Sequence, residues 1–156
     1  MAINISETKI ETSHLVMPGD LNGAGALFGG RLMEWMDTAA AISAMSYAHG
    51  PVVTGTIDSL VFYKGAKVGD IILLCARVTH MWHSSMEVMV RVHVKHLNGT
   101  LELINKAYFV MVTVPDAEGK RPVLEELICQ SEEEKLEWEN AEIRNMLRKE
   151  RRADGV

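Results

Sequence analysis

Two cysteines are all this chain has, and Cys75 and Cys129 stand far apart with no metal-ligand spacing. That removes a disulfide scaffold and a cysteine-based zinc site, and leaves two spectator thiols, Cys75 within an apolar strand-like run. No apolar stretch reaches the ~20 residues of a membrane-crossing helix. Met1 to Ile10 mix polar and apolar residues without a hydrophobic core or cleavage site, so neither signal peptide nor anchor is expected and the cytoplasm is the expected place of action. Basic residues are not in excess: the formal net charge is -5, which argues against a general nucleic-acid binder, although a local basic patch can still hold a phosphorylated ligand. The chain lacks a Gly-x-Ser-x-Gly elbow, so a serine hydrolase would have no nucleophile. Gly23-Ala24-Gly25 has its third glycine displaced to Gly29 and opens no βαβ unit, which excludes a dinucleotide loop. His80 and His83, like His93 and His96, are three apart, and on a strand that spacing points them to opposite faces. The expectation is therefore a small-molecule partner, with no metal, no nucleic acid and no membrane span.

What remains is enough for one folded unit: 156 residues, of which 47% are hydrophobic. Glu7 to Val16 can form a strand, and Met17 to Gly25 is a loop rich in turn formers. A helix of about five turns follows, with its start at Gly29-Gly30 and its end at His49-Gly50-Pro51, where glycine relieves a left-handed cap and proline cannot continue the ladder. Strands are expected over Val52 to Tyr63, Asp70 to Met81, a third built on Met86, Val88, Val90, Val92 and Val94, and Leu101 to Val114. The last two are joined by the hairpin signal Asn98-Gly99. Sheet strands around one apolar helix predict an α+β domain over 1–130, with an antiparallel sheet wrapped around the helix. Residues 131–156 read as a separate charged helix and tail. Ser131 is its N-cap, acids fill its first turn, and Leu136, Ala141, Ile143 and Leu147 form a thin apolar stripe that can dock. Its arginines are expected to form a solvated face.

One carboxylate stands out. Asp37 lies in the most apolar part of the long helix, where an ionised group is costly, whereas Glu34 is nearer the helix start and easily tolerated. Two readings fit Asp37: a structural acid hydrogen-bonded to Thr38 or a neighbouring strand, or a functional one. Gly29-Gly30 is open in the same way, to close packing or to exposing free amides at a helix start.

Several spaced segments resemble one family. Met17-Pro18-Gly19-Asp20-x-Asn22, Leu27-Phe28-Gly29-Gly30 followed by Met36-Asp37, Val52-Val53-Thr54, Val68-Gly69-Asp70 and Ser84-Ser85-Met86-Glu87-Val88 look like the hotdog-fold acyl-CoA thioesterases of the bacterial YciA and mammalian brain acyl-CoA hydrolase type. The resemblance runs from about Thr12 to Pro122 and implies a hotdog fold with a central helix. It also implies hydrolysis of acyl-CoA to a carboxylic acid and CoA without a cofactor, and homo-oligomers of at least a dimer, with a trimer of dimers the specific expectation. Asp37 would be the general base or nucleophile, the Gly29 and Gly30 amides would polarise the thioester carbonyl, and Asn22 and Thr54 would position water or carbonyl. Phe28, Asp58, Lys64, Arg77, His83, Ser84 and Ser85 are the candidate contacts to substrate and CoA. Each also has a plain structural reading, as an edge acid, a solvated cation or a bend between strands. Three positions depart from the family pattern: Ala26, where relatives often carry a polar residue, His83, and Gly65 after Lys64. Ala26 favours the alternative of a non-catalytic hotdog module that binds acyl-CoA as sensor or carrier; Asp37 and the Gly-Gly entry favour the enzyme.

Overall fold

Period-two alternation of apolar side chains along consecutive strands gives a sheet with one face ready to take a helix. The computed structural model describes all 156 residues. In chain order they form β1 (Ala2–Asn4), β2 (Ile10–Leu15), α1 (Gly29–Ala48), β3 (Val52–Phe62), β4 (Ile71–Met81), β5 (Ser85–Lys95), β6 (Leu101–Thr113), β7 (Glu126–Ile128) and α2 (Glu132–Asp154). Five strands make one sheet in the order β2-β4-β5-β6-β3, so β2 and β3 are its edges. Every neighbouring pair in it is antiparallel. The short β1 and β7 pair in parallel as a separate two-stranded unit.

α1 packs across one face of this sheet. Ala39, Ala40 and Ala44 are fully buried there beside Met36, and their small side chains allow the helix to sit close to Val88, Val90, Phe109 and Met111. The predicted stripe Met86, Val88, Val90, Val92 and Val94 is buried throughout. The hairpin at Asn98-Gly99 closes as expected, with Gly99 at φ 90° and the Asn98 side chain accepting from the Thr100 amide. No helix is long and apolar enough to cross a membrane.

Four expectations need correction. The first strand is shorter than expected, because Ile5–Thr8 forms a 3-10 turn held by the Thr8 hydroxyl donating to the Ile5 carbonyl. The left-handed residue ending α1 is His49, at φ 54°, not Gly50. Asp37 is half-buried rather than deep, because one side of α1, running through Glu34, Thr38, Ile42 and Met45, is not covered by the chain. Finally, α2 is not a solvated helix with an apolar docking stripe. It lies on the other face of the sheet, and Leu136, Ile143 and Leu147 point outward while Glu134, Glu137, Ala141 and Arg148 are buried. The docking face is polar because the sheet beneath it carries its own buried acids, Asp58 on β3 and Glu87 on β5.

Those acids and α2 form an ion cluster. The Arg148 guanidinium donates to Asp58 at 2.7 Å and to Glu87 at 3.2 Å, and Arg144 donates twice to Glu87, at 2.7 and 3.0 Å. Arg144 also stacks 3.6 Å over the Tyr108 ring. Burial presses the Arg144 guanidinium down, but its hydrogen bonds to Glu87 and the surrounding negative groups leave it above its ordinary value. At the end of this helix interface His80 is sandwiched between Trp82 and Trp138, with centroids 4.5 and 3.7 Å away.

Candidate active site

The start of α1 and the edge strand β3 meet around Asp37. Thr54, on β3, donates its hydroxyl to Asp37 Oδ1 at 2.5 Å, and Thr54 also touches the Met111 sulfur at 3.7 Å. That bond fixes one carboxylate oxygen and leaves Oδ2 without a partner in the chain, on the uncovered side of the helix. A carboxylate held by one oxygen and free at the other is arranged to accept a proton from a bound water.

Two turns earlier, α1 begins without a side-chain cap. The Leu32 amide is the first to bond back, to the Phe28 carbonyl at 3.1 Å, which leaves the Gly29, Gly30 and Arg31 amides without acceptors. Such amides, with the helix dipole behind them, favour an anion or a carbonyl oxygen gaining negative charge. A Cβ at Gly30 would lie 2.6 Å from Phe28 Cε2, so glycine is what lets the half-exposed Phe28 ring fold over the helix start. Gly29 is less constrained: a Cβ there would meet Phe62 at an ordinary 3.7 Å. The preceding loop is braced by Asn22, whose side-chain oxygen accepts from the Ala24 and Ala26 amides at 2.9 and 3.1 Å, and by Asp20, which pairs with Arg31 at 3.2 Å. Asn22 thus holds its own loop, and Ala26 contributes its amide to that turn.

The other candidate residues are dispersed. Asp58 is in the ion cluster under α2, with Oδ1 unpartnered. Lys64 is engaged by Glu102 at 2.9 Å, and Arg77 faces Glu133 at 3.5 Å on the outer side of the sheet. His83, Ser84 and Ser85 form the turn between β4 and β5. His83 borders a cleft of about 620 Å³ with Trp82, Arg121 and Pro122, while Ser84 and Ser85 line a second of about 460 Å³ that reaches α2. The residues that reading the sequence missed are those of α2 on this second cleft. The signal for them was the spacing Glu134, Glu137, Ala141, Arg144, Arg148, which puts charges of both signs on one helical face at steps of three and four. No three His, Cys, Asp or Glu side chains come together as a metal site. Both cysteines are free and partly buried, and burial is the main cause that pushes each thiol above its ordinary value.

The chain is similar to known proteins over most of its length. Residues 24–99 match the model of the thioesterase superfamily. The chain is 35% identical over 147 residues to the uncharacterised acyl-CoA thioester hydrolase YkhA of Bacillus subtilis, covering 94% of this chain and 85% of that one. It is 30% identical to the rat acetyl-coenzyme A thioesterase over 95% of its own length, but spans only about a quarter of that protein, 27%. Among solved structures, the acyl-CoA hydrolase of Staphylococcus aureus in complex with butyryl coenzyme A and coenzyme A superposes with a TM-score of 0.90 at 35% identity, over 99% of this chain and 94% of that one. The hexameric thioesterase of Yersinia pestis superposes with a TM-score of 0.67 at 40% identity, over 72% and 92% of the two chains.

Proposed function

Because the chain belongs to the thioesterase superfamily, with the hotdog fold of its acyl-CoA hydrolases, we propose that it hydrolyses acyl-CoA thioesters to a carboxylic acid and CoA. The observation that carries this reading is Asp37, a half-buried carboxylate with one oxygen held by Thr54 and the other free. In the proposed reaction the thioester carbonyl accepts hydrogen bonds from the uncapped amides at the start of α1. These bonds strengthen as the carbonyl oxygen becomes an oxyanion. Asp37 takes a proton from the attacking water, or attacks the carbonyl itself to give an anhydride that water then opens. In both routes the CoA thiolate leaves and is reprotonated.

In the proposed reaction a second copy completes the site. Gly30 and Asp37 are seven residues apart, which is about 10 Å along the helix at 1.5 Å per residue. A reacting carbonyl must lie roughly 3 Å from both its oxyanion donors and its attacking group. One subunit's helix start therefore serves the Asp37 of another, across a symmetric contact made by the uncovered side of α1 and the free edge of β3. A dimer is then the minimal active unit, and a trimer of dimers is the proposed assembly, a subunit number supported by the hexameric Yersinia pestis thioesterase.

The decisive experiment follows thiol release from a series of acyl-CoAs with the wild type and with Asp37→Ala. The expected result is turnover by the wild type and a loss of kcat of about a hundredfold or more in the folded variant. Near-normal turnover by Asp37→Ala would remove this residue from the mechanism. Tight acyl-CoA binding by a wild type that turns nothing over would instead establish the sensor or carrier reading that Ala26 favours.

A further inference from the structure

One polar side chain of the core is used by nothing in the chain. Asn105, on β6, is fully buried, and neither its amide oxygen nor its amide nitrogen has a hydrogen-bond partner within the chain. Turning the amide over exchanges the two atoms and satisfies neither. The buried serine and threonine hydroxyls, by contrast, all donate: Thr8 to the Ile5 carbonyl and Ser43 to the Thr8 carbonyl, each at 2.7 Å, Thr79 to the Glu87 carboxylate at 2.7 Å, and Thr113 to the Ser84 carbonyl at 3.0 Å. A buried amide with both ends unpaired is costly, and an apolar sheet interior gives no structural reason to keep one.

Strand register fixes where this amide points. Asn105 pairs with Val92 of β5 and Phe62 of β3, and it alternates with Ala107, Phe109 and Met111, whose side chains pack under α1. It therefore faces the helix. Phe62 shares that face: its ring would meet a Cβ on Gly29 at 3.7 Å, so it lies against the first residue of α1. Residues directly opposite in an antiparallel pair have Cα atoms about 5 Å apart, which puts Asn105 one strand inward from Phe62, below the helix start. The uncapped amides of that helix start are where the thioester carbonyl is proposed to sit. Of the two groups on the carbonyl, the acyl chain is the one that gains from leaving water, so it points inward. The half-exposed Phe28 ring over the helix start turns without breaking a hydrogen bond, and the path it opens stays on the α1 face of the sheet.

We propose that Asn105 reads the acyl group, and that the preferred substrates carry a hydroxyl on the acyl chain within a few carbons of the thioester. The inference rests on the acyl-CoA reading above and adds to it the class of acyl group. A hydroxyl can donate to the amide oxygen and accept from the amide nitrogen, whereas an oxo group or a carboxylate only accepts and leaves the amide oxygen unpaired. An unsubstituted chain leaves both atoms unpaired. A site built around a hydrogen-bonding group discriminates against the analogue that lacks the matching group, because its own buried polar atoms then stay unsatisfied.

The test measures thiol release from 3-hydroxybutyryl-, 3-hydroxyhexanoyl- and 5-hydroxyhexanoyl-CoA, each beside its unsubstituted parent. It compares the wild type with Asn105→Leu, which keeps the side-chain volume and removes the amide, and with the smaller Asn105→Val, which reads the same ratio should leucine not fit. In the wild type at least one hydroxylated ester should have a higher kcat/KM than its parent. The variant should lower that ratio at least tenfold, while its Tm stays equal or rises because the unpaired amide is gone. Unchanged ratios for all three pairs in a folded variant would overturn the proposal. A lowered Tm with unchanged ratios would do so as well, and would assign the amide to a buried water that holds the core. The hydrolase reading fails separately. If the wild type hydrolyses no acyl-CoA, the same esters are stable enough for calorimetry: a hydroxyl preference in Kd that Asn105→Leu removes keeps the subsite, and equal Kd values discard it.

Discussion

Removing Arg148 tests whether the polar face of α2 is truly desolvated. Its side chain is 5% exposed, between Asp58 at 5% and Glu87 at 0%. In Arg148→Met, Glu87 keeps both bonds from Arg144, but Asp58 loses its close partner and is left with the half-exposed Arg151 at 3.9 Å. Breaking a buried pair by deleting one member costs about 3–5 kcal/mol, because the remaining charge stays out of water. For a domain of this length each kcal/mol lowers Tm by roughly 2–4 °C, so the fall should be on the order of 10 °C. Arg144→Met should cost less than an unpaired charge would, since Arg148 remains 3.2 Å from Glu87. Arg148→Met/Asp58→Leu should recover much of the loss, because an apolar pair replaces a desolvated ionic one. Thermal and urea unfolding followed by circular dichroism, with tryptophan fluorescence reporting Trp82 and Trp138, reads all three. A loss below about 1 kcal/mol for Arg148→Met would mean that water reaches the cluster and that α2 is not seated on the sheet as described.

Gly30→Ala should displace the Phe28 ring from the helix start, since the new Cβ would sit 2.6 Å from it. As the ring is half-exposed and free to swing, Tm should change little while kcat/KM for acyl-CoA falls, and equal activity would show that the Gly30 amide is not used. Ile42→Arg, on the uncovered side of α1, should dissociate the assembly and abolish turnover together; sedimentation showing an active monomer would sink the shared-site geometry. Tyr47 and Tyr108 are both pushed up to about 12, mainly by burial, with the nearby Glu125 and Glu137 adding to it. The unfolded chain releases these protons near 10, so between about pH 10 and 12 it binds fewer protons than the fold, and stability should drop as pH rises through that window. Tyr47→Phe/Tyr108→Phe should flatten the drop in a pH series of urea titrations, and an unchanged slope would refute the assignment.

The sheet was legible because its signal is local. Alternation along β5 and the Asn98-Gly99 turn each act over a few residues, and the five long elements from α1 to β6 fall where those patterns place them. Within the site, Asp37 and the Gly29-Gly30 entry were visible because an acid in an apolar helix and paired glycines at its start are anomalies of sequence. Their relation was not: the bond from Thr54 joins residues 17 apart across two elements. The second face of the sheet was misread for a deeper reason. Glu87 alternates with buried valines and so looks solvent-facing, and the arginines of α2 look solvated, because each alone would be too costly to bury. Only together do they become buriable, each cation answering an acid on another element. Pairwise compensation across the fold leaves no periodicity of its own, so the hydrophobic pattern assigned α2 the wrong docking face. The same compensation is incomplete at one point: Arg148 answers Asp58 and Glu87 with one nitrogen, while its buried Nη2 has no acceptor within the chain, so the cluster that anchors the C-terminal helix is not fully satisfied by its own residues.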